Sequence, residues 1–470
     1  MAKIKFGTDG WRAVIAREFT VDNVARVTQG VADWLNNQGG ARAVVVGHDC
    51  RFAGELFAET VAQVLVSNGI TVHLAKGFVS TPMVSLGAKE LGASLGVILT
   101  ASHNSPSYHG YKLKGAYGGP MLPDAIAEVE ALIPDTNPYS MEELAEALEK
   151  HSDLVKPVDL ETRYCDKVNS HFDLEAIRKS GIKLAYDAMY GAGQRVLPRL
   201  LPEAVQFRCD YDPTFQGILP EPIERNLLPF MELVKADPSI QLGLATDGDA
   251  DRIGMVDENG RFLDAHILLM LLIHYLCHYK GWSGKVVMGF SSSERIKRLC
   301  GHYGLEVKVV PIGFKHISGT ILVEDILAGG EESGGITLRG YLPERDGIWI
   351  GLKLLELMTT SGKSMIQLVD EVTTLTGSYA FERLDLHLSE SEKQRVVNNC
   401  KDGKYSQFGS YSVIRTENLD GFKFYFNDSD WVMIRPSGTE PVLRVYAEAS
   451  NAHEAVEILK ATRSTILPSE

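Results

Sequence analysis

One pattern recurs along this chain and restricts its fold more than any other feature. An apolar strand runs into a polar loop bearing glycine, serine or carboxylates. Leu95 to Leu99 leads into Thr100-Ala101-Ser102-His103-Asn104, and the apolar stretch with Leu242 and Leu244 leads into Thr246-Asp247-Gly248-Asp249-Ala250-Asp251-Arg252. A third block closes on Gly329-Gly330-Glu331-Glu332-Ser333-Gly334-Gly335. Other echoes keep the same order. Ala43 to Val46, Lys183-Leu184-Ala185-Tyr186-Asp187 and Lys285-Val286-Val287-Met288-Gly289 read as equivalent strands, and Asn68-Gly69-Ile70-Thr71-Val72 is matched by Tyr303-Gly304-Leu305-Glu306-Val307. Helical spacing of apolar residues places helices between such strands, over Val21 to Asn36 and Glu55 to Asn68. Continuous apolar strands alternating with helices require a largely parallel sheet covered on both faces.

The expected fold class is therefore α/β: three similar α/β/α sheet domains of about a hundred residues each around a central cleft. At 470 residues the chain is too long for one core. Its last part has a different rhythm, with strands over Gly421 to Phe426, Val432 to Ile434 and Val442 to Ala447 and a closing helix over Ala452 to Thr465. That reads as a smaller α+β domain. The domains expected are 1–150, 151–258, 259–376 and 377–470. In open α/β sheets ligands gather beyond the carboxyl ends of the strands, so the three polar loops are expected to face one cleft.

The acidic loop carries the strongest chemical signal. Asp247, Asp249 and Asp251 stand at i, i+2 and i+4, a spacing that turns all three to one side of an extended segment. Three carboxylates held together repel one another unless a cation neutralises them, and a hard ion such as Mg²⁺ suits an all-oxygen set. A calcium EF-hand fails, because Arg252 stands where its loop needs glycine and the flanks read as strands. Ser102 follows a buried strand, but no G-x-S-x-G elbow is present and the adjacent His103 is poorly placed as its base. A serine nucleophile beside a metal site fits phosphoryl transfer better than ester hydrolysis. In the last domain, Arg435-Pro436-Ser437-Gly438-Thr439 offers a cation, two hydroxyls and an unhindered amide, the makings of a phosphate cradle.

The net charge of −14, with no basic block, argues against nucleic acid as a partner. The six scattered cysteines read as free thiols, and the start of the chain shows no signal-peptide core, so a cytoplasmic protein is expected. The most apolar run, Ile267 to Leu276, is too short for a bilayer and reads as a buried helix, so no membrane partner is expected. A homo-oligomer is compatible with the sequence, which carries no signal of oligomeric state.

Taken together and in order, Thr100–Asn104, Asp247–Arg252, Gly330-Glu331-Glu332-Ser333-Gly334 and Arg435-Pro436-Ser437-Gly438-Thr439-Glu440-Pro441 closely resemble the motifs of the α-D-phosphohexomutase family. That family includes phosphoglucomutases, phosphomannomutases and phosphoglucosamine mutases, and the resemblance runs over nearly the whole chain. It implies that Ser102 carries the phosphoryl group and, with Asp247, Asp249 and Asp251, binds Mg²⁺. It implies that Arg252 holds the phosphoserine and that Arg12 and Lys112 lie near the reacting groups. His103 joins the catalytic set as an anchor of the loop, and Lys315 of Gly313-Phe314-Lys315 as an acid–base candidate. Glu331 and Ser333 are implied to bind the sugar hydroxyls, and Arg435, Ser437, Gly438 and Thr439 the non-reacting phosphate. The partners implied are small-molecule sugar phosphates, with glucose 1,6-bisphosphate as activator and glucose phosphate as preferred substrate, mannose phosphate second. One departure is Ser105, where the family usually has proline, which bears on the rigidity of the Ser102 loop. The rival classes are a metal-dependent sugar phosphatase and a non-enzymatic sugar-phosphate sensor.

Overall fold

The computed structural model describes residues 4–40, 42–437 and 442–467. Three of its sheets share one arrangement. In the first, strands Thr71–Ala75, Ala43–His48, Leu95–Leu99 and Tyr108–Gly115 lie side by side in that order, the first three parallel and the last antiparallel. The second repeats this with Val205–Phe207, Leu184–Asp187, Leu242–Thr246 and Ile253–Asp257. The third does so with Val307–Val310, Lys285–Gly289, Ile326–Gly330 and Ile336–Leu338. In every case the polar loop noted in the sequence joins the last parallel strand to the antiparallel one. The three loops thus hold the same topological position, at the carboxyl end of a buried parallel strand.

The parallel strands next to these loops are buried along their whole length, as in Leu95–Leu99, Leu242–Thr246 and Ile326–Gly330. Burial on both faces explains why they read as continuous apolar runs. The first sheet is widened by Trp11–Val14, antiparallel to Tyr108–Gly115, and by Val155–Val158, parallel to Thr71–Ala75. The latter strand lies beyond the boundary expected at residue 150. Helix Ala265–His274 is buried throughout, in keeping with its apolar sequence. One continuous apolar core takes in Val45 and Ile98 of the first unit, Leu184 and Leu244 of the second, and Leu268 and Met288 of the third. That shared core fixes the three loops relative to one another.

Two elements carry little sequence signal. Helix Thr81–Glu90 is short, and strand Tyr108–Gly115 contains Lys112 and Lys114, both fully buried. Lysine is rarely buried without a partner; these two are paired with carboxylates from other units, which a linear reading of the strand does not reveal.

The last domain is an antiparallel sheet of Ala380–His387, Val442–Ala449, Trp431–Pro436, Phe422–Tyr425 and Arg415–Glu417, backed by helices Glu390–Lys401 and Ala452–Ile466 around a core of its own. It is joined to the third unit by an apolar cluster of Phe290, Tyr425, Trp431, Met433 and Tyr446, and by a buried Lys423–Glu294 pair at 3.0 Å. Among the described residues no helix is long and apolar enough to cross a membrane.

Candidate active site

Ser102 sits at the end of Leu95–Leu99, fully buried, with φ 53°. A non-glycine residue in this left-handed region persists only where its surroundings hold it. Its N–H donates to Thr100 Oγ1 at 2.9 Å, and its carbonyl accepts from Arg51 Nη2 at 2.6 Å. Arg51 also donates to the carbonyls of Asn104 (2.6 Å), Ser105 (2.8 Å) and Tyr108 (3.1 Å). One buried guanidinium thus gathers the whole loop, anchored by Asp49 at 3.4 Å, and Asp49 in turn accepts the Thr100 hydroxyl. The loop carrying Ser105 in place of proline is held in this way.

The Ser102 hydroxyl donates to Asp247 Oδ2 at 2.7 Å and lies 3.4 Å from His103 Nδ1. Burial, reinforced by Arg252 and Arg12, pushes His103 well below the usual histidine range. The acidic loop comes against Ser102 closely enough that a Cβ at Gly248 would stand 2.5 Å from the Ser102 carbonyl oxygen. Only glycine permits that approach.

Asp247, Asp249 and Asp251 are all fully buried, and they present ligand oxygens within 4.8 Å of one another. They converge by a route the spacing does not predict. The segment is a turn rather than extended: Ala250 has φ 57°, and its N–H donates to the Asp247 carbonyl at 3.0 Å. Asp247 Oδ1 closes the turn by accepting from the N–H groups of Asp251 (2.9 Å) and Arg252 (3.0 Å). Burial, with Asp249 and Asp251 alongside, holds the Asp247 carboxyl well above its ordinary range. Burial acts on Asp249 in the same sense but is outweighed by Lys112 and Thr81, which hold it below. Asp249 Oδ1 and Asp251 Oδ1 are buried with no hydrogen-bond partner among the described residues. Buried bare carboxylate oxygens are costly. Two of them in an all-oxygen cluster fit a hard divalent cation.

Asp249 Oδ2 and Asp251 Oδ2 meet cations from two units. Lys112 Nζ lies 2.8 Å from Asp249 Oδ2, 3.2 Å from Asp251 Oδ2 and 2.8 Å from Asp9 Oδ2. Arg345 Nη2 lies 2.6 Å from Asp251 Oδ2 and 2.7 Å from Asp9 Oδ2. Arg12 reaches Asp9 at 3.4 Å and donates to Asn104 Oδ1 at 2.5 Å. Burial would raise the Asp9 carboxyl, but Lys112 and Arg345 hold it well below the usual range. Arg252 Nη1 stands 3.4 Å from Glu221.

The third loop abuts the second, with the Ile253 N–H donating to the Gly334 carbonyl at 3.1 Å. Glu331 is buried, its Oε1 accepting from the Gly313 N–H at 2.9 Å and its Oε2 lying 3.9 Å from Arg345. Burial, opposed by Arg345, raises Glu331 to about 7. A Cβ at Gly335 would lie 2.3 Å from Arg345 Cδ, so glycine makes the room through which that arginine reaches Asp251. Ser333 is half-buried in the same loop. Lys315 lines a cavity of about 180 Å³ together with Thr8, Asp9, Gly10 and Lys112, where the first and third units meet. In the last domain Arg435 Nε donates to Asp420 Oδ1 at 3.1 Å, while Asp420 Oδ2 accepts from the Ile312 N–H at 2.9 Å. The Ser437 N–H donates to the Val442 carbonyl. Gly438 and Thr439 lie outside the described residues.

Contacts therefore link Ser102, the three aspartates, Arg12 and Lys112 in one network, and bring Glu331 to it through Arg345. The sequence reading did not find Asp9, Arg51, Thr81 or Arg345. Arg51 occupies the loop after the first parallel strand of its unit, a position the repeat marks but residue type alone does not. For Arg345 no linear signal exists, since its partners come from all three units.

Four domain models of the phosphoglucomutase/phosphomannomutase group match in order. They are α/β/α domain I over residues 3–140, domain II over 162–260, domain III over 264–375 and the C-terminal domain over 392–464. A phosphoglucomutase/phosphomannomutase of Thermococcus kodakarensis is 31% identical over 97% of this chain and 96% of its own length. A probable phosphoglucosamine mutase of Methanobrevibacter smithii is 30% identical over 96% of each chain. The crystal structure of a putative phosphomannomutase from Thermus thermophilus superposes with a TM-score of 0.86 at 34% identity, covering 99% of both chains. The protein is thus an isomerase of the intramolecular phosphotransferase class. It belongs to the phosphoglucomutase/phosphomannomutase family.

Proposed function

We propose that this phosphohexomutase interconverts glucose 1-phosphate and glucose 6-phosphate through a phosphoserine at Ser102 and a glucose 1,6-bisphosphate intermediate, with mannose phosphates as second substrates. The observation that carries the reading is the Ser102 hydroxyl held 2.7 Å from Asp247 within a buried three-aspartate cluster. Asp247, Asp249 and Asp251, with one phosphoserine oxygen, would hold Mg²⁺, which supplies Lewis-acid polarisation of the phosphoryl group. The protein's own part is positioning and charge stabilisation. Phosphorylated Ser102 gives its phosphoryl group to a free sugar hydroxyl, whose proton leaves to a neighbouring base. The bisphosphate turns over, and its other phosphate passes back to Ser102. Arg12, Lys112 and Arg252 stabilise charge at the reacting phosphate, and Lys315 is the acid–base candidate. Arg435, Ser437, Gly438 and Thr439 hold the phosphate that is not reacting. Glu331 and Ser333 bind the 3- and 4-hydroxyls, which can be held in both orientations of the sugar.

Glucose and mannose share those hydroxyls and differ at carbon 2, so discrimination of about 1–3 kcal/mol is expected for a weakly read group. Phosphoglucosamine is the second reading, favoured by relatives of that name at 30% identity. A coupled assay on glucose, mannose, glucosamine and pentose phosphates, with Mg²⁺ and glucose 1,6-bisphosphate as activator, decides the substrate. A higher kcat/KM on glucosamine or pentose phosphate refutes the glucose reading. Release of inorganic phosphate at the isomerisation rate would instead identify a phosphatase. Peptide mapping of active enzyme should place phosphate on Ser102, and Ser102→Ala should abolish turnover. Phosphate found only elsewhere overturns the mechanism.

A further inference from the structure

We propose that Thr81 is a positioning residue for the metal site, fixing the Asp249 carboxylate so that its free oxygen is aimed at the ion. The inference rests on the reading of Asp247, Asp249 and Asp251 as metal ligands and adds to it the group that sets their geometry. Thr81 is fully buried and is the first residue of helix Thr81–Glu90, which is capped by Ser80 and followed at once by Pro82. Its hydroxyl donates to Asp249 Oδ2 at 2.5 Å, and its N–H donates to the Asp249 carbonyl at 3.0 Å. One residue of the first unit thus grips both the side chain and the backbone of a residue in the second.

The consequence follows from the shape of a carboxylate. Asp249 Oδ2 takes the Thr81 hydroxyl and the Lys112 ammonium, while Oδ1 is buried and takes nothing. With one oxygen pinned, the plane of the group has little freedom left, and Oδ1 has one direction to face. Lys112 does not do this alone, because its ammonium is a point charge shared with Asp251 and Asp9 rather than a directed donor to Asp249. Thr81 stands on a rigid helix end, and the N-terminal dipole of that helix also favours the anion. Asp247 has fixed neutral donors of its own in the N–H groups of Asp251 and Arg252, and the Thr81 hydroxyl gives Asp249 the same. Because Thr81 belongs to the unit that carries Ser102, its contact also holds the Asp249 carboxylate in place relative to that unit. Partners that orient a ligating carboxylate in this way commonly change metal affinity 10- to 100-fold when removed.

The test compares Thr81→Val, which replaces the hydroxyl with a methyl of similar size, with Thr81→Ser, which keeps the hydroxyl. Mn²⁺ is the probe, titrated calorimetrically without sugar phosphate so that the readout does not depend on turnover. A thermal melt checks that each variant is folded. Thr81→Val is expected to bind Mn²⁺ about 10- to 100-fold more weakly than the unsubstituted protein, and Thr81→Ser within about threefold of it. Binding by Thr81→Val within about twofold of the unsubstituted protein overturns the inference. So does equal weakening in Thr81→Ser, which would assign the effect to the methyl group. Failure of the underlying reading looks different: the unsubstituted protein binds no Mn²⁺, or Asp249→Asn binds it unchanged.

Discussion

Replacing Arg345 with methionine removes a charge on which carboxylates from all three units depend. The guanidinium is 3% exposed and lies 2.6 Å from Asp251, 2.7 Å from Asp9 and 3.9 Å from Glu331. Removing one partner of a buried ion pair costs about 3–5 kcal/mol, because the other is left charged and unpaired. The lower end applies here, since Lys112 stays within 2.8 Å of Asp9 and 3.2 Å of Asp251. About 3 kcal/mol lowers the melting midpoint of the three units that share one core by roughly 4 °C, at about 2.1 cal/mol/K per residue over roughly 370 residues. Scanning calorimetry in chelator measures this directly. A divalent cation adds a second readout with a definite sign. Arg345 and the ion compete for the same charge on Asp251, so Mg²⁺ should bind the variant more tightly and raise its midpoint further than it raises that of the unsubstituted protein. Midpoints agreeing within about 2 °C in chelator would refute the premise that this arginine balances the cluster. Equal Mg²⁺ shifts would refute the competition.

Glu331, raised by burial to about 7, makes binding depend on pH. In the unfolded chain it ionises near pH 4.3, as glutamate ordinarily does, so its contribution to stability is fully present below about pH 4 and is lost as pH rises through about 7. Its proposed role as an acceptor of sugar hydroxyls needs the carboxylate. Calorimetric affinity for the sugar phosphate should therefore rise through about pH 7, and the inflection should vanish in Glu331→Gln. In Arg51→Lys an ammonium cannot span the four loop carbonyls, so kcat should fall about 10- to 100-fold with KM little changed, the signature of a displaced nucleophile. Unchanged kcat per folded molecule would mean that the loop holds its shape without Arg51. Arg435→Ala should weaken calorimetric binding of the sugar phosphate by about 1.5–3 kcal/mol, the usual loss for a hydrogen bond to a charged group. Unaltered binding would give the last domain another role.

The repeat of strand and polar loop was legible because buried parallel strands must be apolar along their length, and that requirement is written locally. Leu95–Leu99 has the same bounds in the sequence reading and in the structure, and Val21–Gln38 and Gly54–Ser67 differ from their expected ranges by a residue or two. The residue types of the acidic loop and of Ser102 were equally plain, since only a few side chains bind hard cations or carry phosphoryl groups. Even there the local geometry misled. The i, i+2, i+4 spacing points to an extended segment, whereas the three carboxylates meet through a turn at Ala250.

What the sequence alone determined is the class of fold and the kind of chemistry, both of which depend on local pattern and residue type. What only the tertiary structure decided is the electrostatic balance of the site. Asp9, Arg51, Thr81, Lys112 and Arg345 take meaning from partners far along the chain, with Thr81 and Asp249 separated by 168 positions and Arg345 and Asp9 by 336. A buried charge is tolerated only beside its counter-charge. Here Lys112 reaches Asp249 and Asp251, and Arg345 reaches Asp9 and Asp251, across unit boundaries, so the packing of the units on their shared core allows these charges to be buried.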